Sequence, residues 1–469
     1  MRSSIDVGGY VRILLFRIWS RADEIIPPIG IGYLMQSVRQ ISEVELLDGL
    51  KDRLGPWDFA RAASSGKYDL VGITGFSKDG QAIKRHLSAL RAITLQAKIL
   101  VGGILVTASP KNTYEYLKDT ADYFLAGEAE ESLPILVKAI QNGGPLPKIP
   151  GLAIPDSAGL EWPPPKRPGD LDSLQVAWDL LKPESYPQAP HGAFSAQFPC
   201  APIITSRGCS IWCKFCSVPA ITGRRIRRRS VANVVGEIRL LHERHGINEI
   251  HIEDDNFTEN EEYVLQFGEQ LLQLPYSLTW TCPNGVRLDT LTPPVLDVMK
   301  RSNCSFVSVG IESADDRMLA KMHKGFNTAK VRSKIKEIAK TGIRVGGFFI
   351  VGLPGETWRS IEDTAAFSRS LPLTRASFSY YQPFPGSPLR AELEKSGGIG
   401  PIDFDREILE LHEVGYVPKG MTALELIWLR RKSFLCFYLR PAPIIRLVAS
   451  ITSFAHFRFV VRRILRWLL

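Results

Sequence analysis

Apolar positions along the chain fall into two series of alternating short and long stretches. In the first, strand-like runs at Val11–Phe16, Val44–Leu47, Leu70–Thr74, Ile99–Val101 and Tyr123–Leu125 alternate with helical patterns at Ile29–Arg39, Phe59–Ser64, Gln81–Ile93, Asn112–Asp119 and Glu130–Gln141. Short apolar runs bounded by turn residues read as buried strands, and longer stretches with three- and four-residue spacing read as helices. Such alternation implies right-handed crossovers and a doubly wound parallel sheet covered on both faces. The second series runs from Pro202 to about Pro388. Its expected strands are Ile203–Thr205, Glu249–Glu253, Thr279–Cys282, Phe306–Gly310, Arg344–Val351 and Ala376–Tyr380, with helices between them. Six such units fit an open six-stranded part of a (β/α) barrel. Between the series lies a proline-rich stretch containing Pro163-Pro164-Pro165, which reads as an extended connector without a fold of its own. The expected division is a domain at 1–145, a linker at 146–199, a partial barrel at 200–390 and a helical C-terminal region at 391–469.

Parallel α/β sheets and barrels place their ligands at the carboxyl ends of the strands. In the first series these ends are Thr74-Gly75-Phe76-Ser77, Gly102-Gly103-Ile104 and Gly127-Glu128. Glycine there lets the backbone approach a bulky or phosphate-bearing ligand closely. It also commonly ends strands for no other purpose, so the turns alone leave the two readings even. In the second series the strand ends carry Glu253-Asp254-Asp255-Asn256, Asn284-Gly285-Val286-Arg287, Gly310-Ile311-Glu312-Ser313 and the stretch Phe348 to Glu356, which includes Ile350 and Gly352. A lone acidic cluster is usually a solvated turn; at a barrel's strand end its carboxylates can hold a ligand's ammonium by charge-assisted hydrogen bonds.

The loop after the first barrel strand is the most telling stretch: Arg207-Gly208-Cys209-Ser210-Ile211-Trp212-Cys213-Lys214-Phe215-Cys216. Three thiolates this close can grip three corners of a cubic iron–sulfur cluster and leave its fourth iron without a protein ligand. A structural zinc site normally takes four ligands, often from two paired knuckles, and the remaining cysteines, Cys200, Cys282, Cys304 and Cys436, are isolated. Seven cysteines in 469 residues do not make a disulfide framework.

The formal net charge of +9 is concentrated rather than spread. Five arginines lie at 224–229 and six, with no acid, between Leu439 and Leu469; these carry eleven charges, and the remainder sums to about −2. The body is therefore not basic, and nucleic acid is not an expected partner. No apolar stretch reaches the roughly 18 residues of a membrane span, and Val11–Phe16 fits a first strand better than a signal peptide. A reducing cytoplasm suits an oxygen-sensitive cluster.

The three-cysteine spacing, with aromatic Phe215 before the last cysteine, resembles the signature of the radical S-adenosylmethionine (SAM) enzymes. The order Pro27-Pro28-Ile29-Gly30, Leu46-Leu47-Asp48, Val71-Gly72-Ile73, Val101-Gly102-Gly103 and Gly127-Glu128-Ala129-Glu130 resembles the cobalamin-binding domain that precedes many of them. Together the resemblance covers about residues 10–390. It implies a four-iron four-sulfur cluster on Cys209, Cys213 and Cys216, whose open iron chelates SAM. One electron from the cluster then cleaves the sulfonium to methionine and a 5′-deoxyadenosyl radical. It also implies SAM contacts at Asp254, Asp255, Asn284, Arg287, Glu312, Ile350 and Gly352, and cobalamin contacts at Thr74, Gly75, Gly102, Gly103, Gly127 and Glu128. Cobalamin, held between the two domains, would donate a methyl group to an unactivated carbon, and an external donor would supply the electron.

Two departures from the family pattern stand out. The Asp-x-His-x-x-Gly motif that places a histidine on cobalt in other cobalamin proteins is absent, and His86, the only histidine before residue 190, is expected to be solvated on its helix. Phe348 stands where the wider family often has glycine. Residues 1–199 contain no cysteine, which excludes the second N-terminal cluster of the methylthiotransferases. A rearrangement or oxidative cyclisation using the same cofactors remains an alternative. So, outside enzymes, does a redox-sensing or membrane-recruited binding protein, although a sensor has no need of so many polar strand ends.

The run Arg224–Arg229 is read as a mixture of solvated arginines and one or two facing an anionic group. In the tail, Arg458, Arg462 and Arg466 recur at steps of four among Phe457, Val460, Val461, Ile464 and Leu465. Such a stripe suits either the anionic inner face of a membrane or packing against the barrel with the arginines in water; the breadth of the apolar arc favours the membrane. Phe437-Tyr438-Leu439-Arg440-Pro441 resembles tails of relatives from lipid and tetrapyrrole pathways.

Overall fold

The computed structural model describes residues 10–449 apart from 21–24, 94–95, 155–161, 188–195 and 408, and, beyond 449, residues 451, 454, 457–458, 460–462 and 465. The chain forms two compact units. One comprises residues 1–182 with 219–223 and 393–407; the other comprises 183–218, 224–392 and 408–469.

In the first unit, β1 (Val11–Arg17), β2 (Ser42–Asp48), β3 (Leu70–Thr74), β4 (Lys98–Gly102), β5 (Tyr123–Leu125) and β6 (Leu152–Ala153) form one sheet in the order β2-β1-β3-β4-β5-β6. All pairs are parallel except β5 with β6. This is the expected doubly wound sheet, and its order reverses between β1 and β3, where such folds open a crevice at the strand ends. The core gathers Leu14, Phe16, Val71, Ile73, Ile99, Val101 and Phe124 from the strands with Phe59, Ile83, Leu87 and Leu105 from the helices. Phe16 and Phe59 stack with centroids 3.8 Å apart.

Two expectations are corrected here. The stretch after residue 145 is not purely a connector: Leu152–Ala153 adds an antiparallel edge to the sheet, and Trp178–Leu181 is a short helix. His86 is not solvated. It is 2 % exposed, its Nδ1 lies 2.7 Å from the Ala82 carbonyl, and its ring packs 5.5 Å from Phe16. The helix Gly80–Ala92 turns Ile83, His86, Leu87 and Leu90 onto one buried face, so the imidazole is a core group and burial lowers its pKa.

In the second unit, β7 (Cys200–Ile203), β10 (Glu249–Ile252), β11 (Thr279–Val286), β12 (Cys304–Glu312), β13 (Arg344–Val351) and β14 (Arg375–Tyr380) form a six-stranded sheet in the order β14-β13-β12-β11-β10-β7. Every pair is parallel. Sequential parallel strands that never pair first with last make the expected open partial barrel. Between β7 and β10 lies a small antiparallel hairpin of β8 (Ser206–Arg207) and β9 (Arg227–Arg228). The first barrel strand ends at Ile203, not Thr205, because Thr205 leaves the ladder to bond Asp254. The C-terminal region, expected to be helical from 391, has no helix between 396 and 422 among the described residues; helices follow at Ala423–Tyr438 and Pro441–Ala449, and Arg430 of the first is buried and donates from Nε to the Phe378 carbonyl of β14 at 2.8 Å.

Candidate active site

The cysteine loop leaves β8 through Gly208, whose φ of 103° is closed to other residues without strain. Between Cys213 and Cys216 the loop is tied at Lys214. Its N–H donates to the Met322 carbonyl at 3.2 Å, its carbonyl accepts from Leu389 N–H at 2.8 Å, and its Nζ meets Glu392 Oε1 at 2.6 Å. Asp254, at the end of β10, anchors the loop's approach. Its carboxylate accepts from Thr205 N–H at 2.6 Å, Thr205 Oγ1 at 2.5 Å and Ser206 Oγ at 2.6 Å. It is 3 % exposed, and burial raises its pKa against the pull of those donors. The neighbouring Asp255 is exposed. The sequence reading aimed both carboxylates at SAM; the structure gives them different surroundings.

Burial pushes all three loop thiols up, Cys216 to about 12, while Arg287 draws Cys209 down and Lys324 and Arg287 draw Cys213 down. Iron ligation displaces these protons, since the thiolate is the ligand. Among the described residues no three Cys, His, Asp or Glu side chains converge on a single ion. A cubic cluster takes one thiolate per iron and needs no such convergence, whereas one zinc ion does. Three thiols at this spacing on one loop, with Arg287 and Lys324 as well as Asp255 and Glu312 nearby, fit a four-iron cluster.

The other strand ends carry further polar groups. Asn284 lies at an irregularity in β11, where Gly285 has a φ of 107°, and donates from Nδ2 to the Glu253 carbonyl at 3.1 Å. Arg287 is clamped by Asp289 at 2.7 and 2.8 Å and donates from Nη2 to the Lys324 carbonyl at 2.9 Å. Glu312 ends β12 with a φ of 66° and pairs with Lys324 Nζ at 3.1 Å. Ile350 is half-buried in β13, and Gly352 follows with a φ of 88°. There Glu356 Oε2 accepts from the N–H groups of Gly352 and Leu353 at 2.7 and 2.9 Å. Burial pushes the Glu356 carboxyl up to about 7. Sequence reasoning missed Lys324 and Glu356 as members of this group. Lys324 had only the turn His323-Lys324-Gly325 to mark it, and Glu356 was read as part of its loop.

The arginine run is largely structural. Arg229 is buried and donates to Asn233 Oδ1, the Ile204 carbonyl and Glu237 Oε2; Arg228 pairs with Glu259. Arg224 lies 3.0 Å over the exposed ring of Trp212 in the cysteine loop, and Arg225 is exposed.

In the first unit, the candidate cobalamin residues lie at the ends of β3, β4 and β5 and are wired together. Thr107 Oγ1 donates to the Gly103 carbonyl at 2.8 Å and accepts from Gly127 N–H at 2.9 Å, and Leu105 N–H reaches the Gly75 carbonyl at 3.0 Å. Thr74, Gly75, Gly102, Gly103, Gly127 and Glu128 are all half-buried. The protein's own packing restricts three of the glycines, most strongly Gly103 and Gly127, which also have positive φ. A Cβ at Gly75 would stand 2.8 Å from Ile83 Cδ1, one at Gly103 would stand 2.2 Å from Thr74 Oγ1, and one at Gly127 would stand 2.4 Å from Pro165 Cβ. Gly102 differs: its Cβ would meet only the Leu125 carbonyl, at an ordinary 3.5 Å. The space beside Gly102 is what a close-lying flat ligand requires, and it fits cobalamin held without a protein histidine.

Comparison with known proteins agrees with both halves. Residues 203–368 match the radical SAM superfamily model and residues 18–137 match the B12-binding domain model. An uncharacterized methyltransferase of Pyrococcus horikoshii is 30% identical over 94% of this chain and 93% of its own length. The anaerobic magnesium-protoporphyrin IX monomethyl ester cyclase of Cereibacter sphaeroides is 25% identical over 89% of this chain and 68% of its own. Among solved structures, the radical SAM methyltransferase TsrM of Kitasatospora setae, with tryptophan substrate and a SAM analogue bound, superposes with a TM-score of 0.68. That match covers 94% of this chain and 89% of TsrM at 19% identity, which is evidence of a shared fold. The chain belongs to the radical SAM enzymes that carry a cobalamin-binding domain, a family of methyltransferases and cyclases.

Proposed function

We propose that this enzyme reductively cleaves SAM at one four-iron four-sulfur cluster on Cys209, Cys213 and Cys216 and, with cobalamin, methylates an unactivated carbon of a small or lipophilic substrate. The observation that carries the reading is three closely spaced cysteines on one tied loop after β8, beside the buried Lys324–Glu312 pair at a barrel strand end. Asp255, Asn284, Arg287, Glu312, Ile350 and Gly352 are assigned to SAM, and Asp254 to positioning the loop. Thr74, Gly75, Gly102, Gly103, Gly127 and Glu128 are assigned to cobalamin. Their part is to hold the reactants in register and exclude water; the difficult chemistry is the cofactors'.

The test uses anaerobic, cluster-reconstituted protein supplied with cobalamin, freed of unbound cofactor and given SAM, reductant and candidate substrates. Retained cobalamin, 5′-deoxyadenosine and a product heavier by one methyl group are the expected result. A product without added methyl mass would instead place the enzyme with the cyclase relative. Absence of 5′-deoxyadenosine would sink the assignment of the cluster's role.

The C-terminal region is assigned a peripheral contact with the inner face of a membrane. Among the described residues no helix is long and apolar enough to cross one. Leu439, Ile445, Val448 and Phe454 are each more than three-fifths exposed, and no acid occurs after Glu425. Arg458 and Arg462 are exposed; Arg466 lies outside the described residues. Exposed apolar side chains among arginines alone suit an anionic lipid surface. Full-length protein is expected to sediment with vesicles containing phosphatidylglycerol and not with phosphatidylcholine alone. Reversing Arg458 and Arg462 to glutamate should weaken that binding about thirtyfold or more, since each arginine lost is worth about 1 kcal/mol. Equal sedimentation with both vesicles, or none, would refute the contact.

A further inference from the structure

The pair Lys324–Glu312 is unusual for where it sits. Both residues are buried, at 6 % exposure each, and Nζ meets Oε1 at 3.1 Å. The backbone is shaped to admit them. Glu312 adopts a left-handed φ of 66°, a conformation that strains a non-glycine residue. Gly310 carries no side chain where a Cβ would fall 2.4 Å from Glu312 Oε1 and 3.0 Å from Lys324 Nζ. Lys324 Nζ also lies 5.7 Å over the ring of Phe215, inside the cysteine loop, and 5.4 Å over Phe326. Phe215 lies between Cys213 and Cys216, so the pair stands beside the segment that joins two of the three thiols. A second ion pair lies next to it: Arg287 is clamped to Asp289 and also donates to the Lys324 carbonyl.

A buried ion pair is poor value as a stability device, because desolvation offsets most of its attraction. It is a strong source of local potential, because little water screens it. Reduction of a thiolate-bound cluster adds one negative charge at a fixed place, and no bond forms or breaks. Net charge around an iron–sulfur cluster is one of the factors that sets its potential.

We propose that this pair tunes the reduction potential of the cluster on Cys209, Cys213 and Cys216, with Lys324 favouring electron uptake and Glu312 opposing it. The proposal rests on the cluster assignment above. Lys324 and Glu312 are positioning residues in this role: they shape the field in which one electron arrives from an external one-electron donor. Glu312 does so whether or not it also contacts SAM, so the test is made without SAM.

The experiment is an anaerobic potentiometric titration of reconstituted full-length protein at pH 8, with dithionite as reductant and the reduced cluster read by electron paramagnetic resonance. Lys324→Met is expected to make reduction at least about tenfold less favourable, a shift of about 59 mV to more negative potential. Glu312→Gln is expected to move it by a similar amount in the positive direction, and Lys324→Arg is expected to stay near the wild-type value. A purely structural role has no reason to yield shifts of opposite sign. Shifts of one sign, or none in either variant, overturn the proposal. Should Lys324→Met fail to fold, Glu312→Gln decides alone: a positive shift supports the proposal, and no shift or a negative one overturns it. Iron content and the wild-type signal report separately on the cluster. A wild-type protein that holds none overturns the assignment beneath the proposal as well.

Discussion

Replacement of Cys213 by alanine is expected to leave a folded protein without its iron cluster and to cut 5′-deoxyadenosine formation by roughly three orders of magnitude or more. The thiol is half-exposed on a loop whose path is set elsewhere, by Gly208, by the Asp254 hydrogen bonds and by the Lys214 ties. Losing one sulfur should therefore remove a ligand without unravelling the scaffold. Cys282 supplies the control: it is buried within β11. Cys282→Ala is expected to cost about 1 kcal/mol of stability through lost packing and to leave iron content unchanged. Iron analysis and the visible spectrum of both variants check this. Full iron in Cys213→Ala would show that the three cysteines do not hold the cluster.

The second large effect is expected at the end of β4. Gly102→Val should abolish cobalamin retention while sparing the cluster, because an added Cβ there meets only the Leu125 carbonyl at 3.5 Å, and a cofactor bound at this strand end would compete for the same room. A strand end accepts valine readily, and Gly102→Ala should be neutral or stabilising by about 0.5 kcal/mol. Gly103→Ala should behave in the opposite way. Its φ of 85° and the 2.2 Å approach to Thr74 Oγ1 predict a loss of about 1–3 kcal/mol with or without cofactor. Cobalamin absorbance after desalting and thermal unfolding, measured on all three variants, separate the two kinds of glycine. Undiminished cobalamin in Gly102→Val would move the cofactor away from this strand end.

Most of both sheets could be read from the sequence because their strands are short apolar runs separated by well-marked helices. The parallel pairings follow from that order by chirality and chain connectivity. The cysteine loop was legible for a different reason: its spacing is local. What escaped was set by contacts distant in sequence or by the geometry of single residues. Lys324 becomes a site residue only because Gly310 and the left-handed Glu312 open a place for it. Asp254 looked like a ligand-facing carboxylate, yet Thr205 and Ser206, nearly fifty residues earlier, bond both of its oxygens. His86 could have been placed correctly, since Ile83, Leu87 and Leu90 at helical spacing already marked its face as buried.

The stretch 393–407 was also hidden, because its helical pattern carries no sign that it belongs with the first unit. Phe404 lies in that unit's core, and the Tyr116 hydroxyl donates to Asp405 Oδ1 at 2.5 Å. This has a consequence for synthesis. The ribosome emits the first unit's sheet early and Phe404 roughly 250 residues later, a delay of about 12–50 s at bacterial or eukaryotic elongation rates. Throughout that interval the nascent first unit lacks a core side chain, and its surface around Gly80 and Tyr116 stays uncovered. Final consolidation of the N-terminal half thus waits for residues translated after the barrel, so the order of folding runs against the order of the chain.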